Sequence, residues 1–184
     1  MISQIKLPFH FDIKKMQSEV MSFNTKDWIP HFNQGYYKGD WSAIPLRSVN
    51  GDKTRIFPDP IGTQQLANTI HMENCVYLKQ IVDSFLCDKR EIRLLKLSSG
   101  SNIKEHSDFD LSYEDGEVRL HIPIITNPDM EFLLDRKRVI MNEGECWYLN
   151  FNLKHSVANN GATDRVHLVI DCILNEWLDK YFKT

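Results

Sequence analysis

Two imidazoles and one carboxylate, His106, Asp108 and His155, are the side chains in this 184-residue sequence best suited to hold a metal ion together. His106-Ser107-Asp108 sets two ligands two positions apart, and on a strand that spacing sends both to one face. His155 lies downstream in Tyr148-Leu149-Asn150-Phe151-Asn152-Leu153-Lys154-His155, a stretch with the aromatic and aliphatic content of strands around a short turn. Two neutral imidazoles and a carboxylate on one side of a cation form a facial triad, which suits Fe(II) and leaves positions open for a co-substrate and dioxygen. The spacing alone is weak evidence. A chain with 7 His and 25 acidic residues produces His-x-Asp by chance, and most acidic residues are solvated.

Two further segments strengthen the reading. Arg119-Leu120-His121-Ile122-Pro123 and Arg165-Val166-His167-Leu168-Val169-Ile170-Asp171 both alternate as strands do, each placing an Arg and a His on one face. A guanidinium facing inward needs an anion, because an unpaired buried charge is costly. Two such groups beside one divalent cation suit a small dicarboxylate such as 2-oxoglutarate, since the guanidinium fork matches a carboxylate bidentately. The competing reading pairs Arg119 and Arg165 with protein acids such as Asp164, Glu117 or Asp171.

These segments, together with Arg93 to Ser101, Thr126-Asn127-Pro128 and Gly144-Glu145-Cys146-Trp147-Tyr148-Leu149, resemble the aspartyl/asparaginyl β-hydroxylase family of Fe(II)- and 2-oxoglutarate-dependent dioxygenases. The resemblance runs from about Trp41 to Leu178. It implies Fe(II) held by His106, Asp108 and His155, and 2-oxoglutarate held by Arg165 through its distal carboxylate, with Arg119 and His121 completing that site. It also implies O2 as oxidant and release of succinate and CO2. The C–H bond hydroxylated would belong to an amino acid, to Asp or Asn in a peptide or protein, or to a related small molecule. One departure stands out: a co-substrate-assisting hydroxyl of better-studied members aligns near the apolar Leu95. On the substrate side, Arg47 is the candidate carboxylate holder, with Trp41 and Tyr36 at the barrel mouth for packing or contact. The alternative from another class is a cupin-type protein that binds a metal and a small carboxylate, as a sensor, without turnover.

To position such a site the chain needs facing sheets. From Glu91 on, short apolar runs alternate with turn signals at Ser98-Ser99-Gly100, Glu114-Asp115-Gly116, Asn127-Pro128-Asp129, Asn142-Glu143-Gly144 and Asn159-Asn160-Gly161. This predicts a mainly β protein, and with the resemblance a double-stranded β-helix, the cupin-like jelly roll, with a few supporting helices. The expected organisation is one domain: strand and helix support over 1–90, a jelly-roll core over 91–173 and a C-terminal helix over 174–184. Within the first part, Trp41 to Ser48 reads as a strand, about Cys75 to Phe85 as an amphipathic helix, and the first 40 residues as an irregular aromatic-rich layer. At this length and 42% hydrophobic content the chain can bury a substantial core. A net charge of −3 gives no electrostatic reason to expect nucleic acid, and no apolar run is long enough to suggest a membrane span or secretory signal. Cys75, Cys87, Cys146 and Cys172 lack C-x-x-C spacing and read as reduced core thiols, pointing to the cytoplasm.

Overall fold

The computed structural model describes residues 1–59 and 62–183. Its longer strands are β1 Gln4–His10, β2 Trp41–Val49, β3 Lys89–Leu97, β4 Asn102–His106, β5 Glu117–Ile125, β6 Met130–Leu134, β7 Glu145–Leu149, β8 His155–Asn159 and β9 Arg165–Ile173. Helices α1 Ile13–Met21, α2 Ile70–Asn74, α3 Val76–Ser84 and α4 Glu176–Asp179 complete the frame. From β3 onward successive strands alternate between two antiparallel sheets. The larger sheet runs β1-β7-β5-β9-β3-β2 and is extended beyond β2 by Ile29–Pro30; the smaller places β8 between β6 and β4, with Lys137–Arg138 and Tyr37–Lys38 at its edges. That alternation is the double-stranded β-helix, and each expected turn falls between consecutive strands.

Side-chain alternation divides the larger sheet into two unlike faces. Leu120, Ile122 and Ile124 of β5, Val166, Leu168 and Ile170 of β9, and Ile92 and Leu94 of β3 pack outward against Met16 and Val20 of α1 and Leu78, Ile81 and Val82 of α3. Fully burying each such aliphatic side chain contributes roughly 1.5–3 kcal/mol, so this layer fixes the sheet to its helices. The helices are tied together as well as packed. Asp12 caps α1 by accepting from Lys15 N at 3.1 Å. The Glu19 carboxylate accepts from the first-turn amides of α3, Tyr77 N at 2.6 Å and Leu78 N at 2.9 Å. Between the sheets lies a second apolar cluster that includes Trp41, Leu97, Ile103, Phe132, Phe151 and Val157.

The first 40 residues are more regular than their sequence suggests. Ile5, Leu7 and Phe9 alternate with polar residues, but Pro8 interrupts the pattern; β1 tolerates it because it is the edge strand of the larger sheet, where the register against β7 slips between Leu7 and His10. The expected helix over Cys75 to Phe85 and strand from Trp41 are present as α3 and β2. All four cysteines are buried and free. No helix among the described residues is long and apolar enough to cross a membrane.

Candidate metal and anion site

β4 and β8 are neighbours in the smaller sheet, and their register sets His155 opposite His106. The two rings lie 4.2 Å apart between centroids. Asp108 follows β4 and is anchored through its backbone, Asp108 N donating to Phe151 O at 2.9 Å. One ligand atom from each of His106, Asp108 and His155 falls within 4.8 Å of the others. His106 Nδ1 lies 2.8 Å from Lys104 O and His155 Nδ1 lies 3.0 Å from Leu153 O. A carbonyl can only accept, so each Nδ1 carries the proton and each Nε2 keeps its lone pair for a cation. Burial lowers the His155 pKa to about 4, which keeps the ring neutral as a ligand must be. The donor set therefore fits a divalent transition metal.

The cavity beside these three residues has a volume of about 540 Å³. Its floor is the inner face of the larger sheet, where Asp171 pairs in register with Arg119 and Val169 with His121. Arg165 is buried, and its only side-chain hydrogen bond among the described residues runs from NH2 to His167 Nδ1 at 2.9 Å. No carboxylate of the described residues lies beside it, and burial alone pushes its pKa down to about 9. His121 Nδ1 lies 3.2 Å from His167 Nδ1, while His121 Nε2 is buried with no partner among the described residues. Burial first, and then the positive charge of Arg165, holds both imidazoles well below the usual histidine pKa. His121 lines the cavity; His167 lies behind it, opposite Leu95 and Pro123.

Arg119 has a different environment. Its Nε and NH2 donate to Asp171 at 2.6 and 3.0 Å, and its NH1 donates to Asp108 Oδ2 at 2.8 Å. Arg93 NH2 reaches the same Asp171 Oδ2 at 2.7 Å. Burial disfavours the Arg119 charge, but the Asp171 and Asp108 carboxylates outweigh it and raise its pKa. Asp171, also buried, is held below the usual carboxylate range because Arg119 and Arg93 outweigh its desolvation. The protein-acid pairing left open by the sequence is thus present at Arg119, with Asp171, and among the described residues absent at Arg165.

On the substrate side, Trp41 and Tyr36 line the cavity. Trp41 is stacked on His31 at 3.5 Å between ring centroids, and Tyr36 meets His106 edge-on at 5.3 Å. Arg47 does not line it. It sits beyond a register shift between Pro45 and Arg47 in β2, donating to Lys89 O at 3.3 Å and to Asn68 Oδ1 at 3.4 Å. The alternation that brings Trp41 and Ala43 to the cavity ends at that shift. Arg93 takes a place there instead, and the period-two run Arg93, Leu95, Leu97 is the sequence signal that points to it. His31 also lines the cavity, with no strand pattern in the sequence to announce it.

Facing sheets with a two-histidine, one-carboxylate set at the mouth and a buried cation at the floor define the architecture of a metal-dependent oxygenase jelly roll. Residues 10–174 match the aspartyl/asparaginyl β-hydroxylase family, and the chain belongs to it. The L-proline cis-4-hydroxylase of Rhizobium meliloti (strain 1021) is 27% identical over 163 residues, 88% of this chain, which spans 57% of that protein's length. An oxidoreductase of the 2OG-Fe(II) oxygenase family from Burkholderia pseudomallei superposes with a TM-score of 0.60 at 18% identity, covering 93% of this chain and 85% of the other. A Pseudomonas putida prolyl-4-hydroxylase gives 0.58 at 13% identity, covering 94% and 93%. At these identities the two structures speak for the fold, a double-stranded β-helix.

Proposed function

We propose that this chain is an Fe(II)- and 2-oxoglutarate-dependent hydroxylase of a small free amino or imino acid. The observation that carries the reading is the pairing of a three-ligand mouth with Arg165, a buried guanidinium with no carboxylate of the described residues beside it. Fe(II) at the mouth would supply activation of O2 coupled to oxidative decarboxylation of 2-oxoglutarate to succinate and CO2. The protein groups have simpler tasks. His106, His155 and Asp108 hold the ion; Arg165 takes the distal carboxylate of 2-oxoglutarate; His121 offers a polar atom beside it; Phe132, Phe151 and Val157 exclude water from the reacting face. Leu95, also lining the cavity, gives co-substrate contact without the hydroxyl found in better-studied relatives.

A small substrate agrees with the cavity of about 540 Å³ and with the L-proline for which the Rhizobium meliloti relative is named. On the substrate side Arg93, Trp41 and Tyr36 face the same space. The test is incubation with Fe(II), 2-oxoglutarate and a panel of free amino acids including L-proline, beside peptides containing Asp, Asn or Pro. We expect succinate in step with a product one oxygen heavier, from a free amino or imino acid. Turnover of peptides alone would move the assignment to peptidyl substrates. Binding of 2-oxoglutarate with no succinate from any mixture would favour a carboxylate sensor.

A further inference from the structure

The Arg119 guanidinium is shared unequally between two carboxylates, and the sharing bears on the metal ligand Asp108. Asp171 takes Nε and NH2, one complete edge of the fork, and leaves a single hydrogen bond, NH1 to Asp108 Oδ2. Asp108 Oδ1 remains turned toward His106, 3.9 Å from its Nε2. Asp171 is kept in place from its other side by Arg93, and it pairs in register with Arg119 across β5 and β9. Without that hold, an arginine beside a carboxylate would favour the bidentate arrangement, engaging both oxygens at once. Both oxygens of Asp108 would then be engaged by a cation other than the metal.

We infer that Asp171 is a positioning residue of the metal centre: by holding Arg119 along one edge, it limits Arg119 to Oδ2 of Asp108 and keeps Oδ1 free for the ion. The inference rests on the reading of His106, Asp108 and His155 as metal ligands. It adds a role for two buried residues, Asp171 and Arg93, which act on the ion only through Arg119. It also moves Arg119 from the co-substrate site to the support of a ligand, since three of its donors are engaged by protein carboxylates. The charges balance across the set, two guanidinium groups against two carboxylates. Removing the Asp171 charge therefore leaves excess positive charge beside a cation site.

Co(II), a spectroscopic probe with absorption bands sensitive to ligand geometry, tests this on the whole chain after treatment with chelator. Asp171→Asn should bind Co(II) at least tenfold more weakly than the unsubstituted protein, with displaced bands, in line with the usual effect of losing a partner behind a metal ligand. Asp171→Asn combined with Arg119→Gln should bind better than Asp171→Asn alone, because the released guanidinium is gone. A residue serving stability only would give the reverse order. Arg119→Lys, which keeps the charge and loses the fork, covers the case in which Asp171→Asn does not fold; it too should weaken Co(II) binding. Unchanged Co(II) affinity and bands in Asp171→Asn, or in Arg119→Lys where the first variant is unfolded, would overturn the positioning role. Equal Co(II) binding by the unsubstituted protein and by Asp108→Ala would instead overturn the metal reading itself.

Discussion

The mouth and the floor of the cavity are built on opposite principles. At the mouth, on the smaller sheet, each candidate ligand is already satisfied on its far side: Lys104 O and Leu153 O orient the imidazoles, and Arg119 holds Asp108. At the floor, on the larger sheet, the Arg165 side chain bonds only an imidazole among the described residues, and His121 Nε2 bonds none of them. Partnered groups can be held in geometry without a ligand. Unpartnered buried groups carry a desolvation cost that a bound ligand or water offsets. The mouth thus reads as preorganised for an ion, and the floor as incomplete until an anion arrives.

The largest effect should come from the mouth. His106→Ala, Asp108→Ala or His155→Ala should reduce iron-dependent succinate formation to background while the melting temperature stays within a few degrees, because strand pairing does not require the ion. Near-normal turnover in His155→Ala would remove the facial triad from consideration. Next is the floor: Arg165→Ala should raise the 2-oxoglutarate requirement by an amount corresponding to about 2–5 kcal/mol, and Arg165→Lys should recover part of that. An unchanged titration in both variants would mean that Arg165 does not meet the co-substrate.

A finer test lies within the floor. His121→Ala should weaken 2-oxoglutarate binding more than it lowers stability, since His121 lines the cavity; His167→Ala should show the opposite balance, through a lost hydrogen bond worth about 1 kcal/mol and a small cavity. Titration and melting of the two variants decide it, and the reverse pattern would exchange their roles. The smallest expected effect is on pH. His31 is held at about 4 by burial, with Arg93 adding to it, and His121 and His167 lie well below their ordinary value of 6.5. The unfolded chain takes up protons near 6.5 that the native state refuses, so stability is complete above that value and falls as pH drops toward 4. Melting curves of the metal-free protein from pH 7.5 to pH 5 should shift steadily downward; a flat profile would mean that these rings are protonated in the native state.

Much of this was readable in the residues, and the limits are physical. Strict period-two alternation in β5 and β9 placed Arg119, His121, Arg165 and His167 on one face, and the turn-forming residues marked where the chain passes between sheets. Alternation says which face a side chain takes but not what it meets there. Arg119 and Arg165 occupy equivalent pattern positions, yet one faces Asp171 across the strand pair and the other faces no acid among the described residues. Arg47 shows the same limit at a bulge, since a register slip is invisible in residue types and redirects everything beyond it. β1 was concealed by Pro8, which matters little on an edge.

Between Tyr37–Lys38, paired to β4 in the smaller sheet, and Trp41, paired to Leu97 in the larger, only Gly39 and Asp40 intervene. Gly39 has φ +86, and a Cβ there would come within 2.8 Å of Ser101 Cβ, while Asp40 N donates to Ser101 Oγ at 2.8 Å. The two jaws of the cavity are therefore riveted at this corner by a residue with no side chain. Gly39→Ala would press on Ser101 and strain a left-handed backbone at the hinge between the two sheets, and a lowered melting temperature would report it.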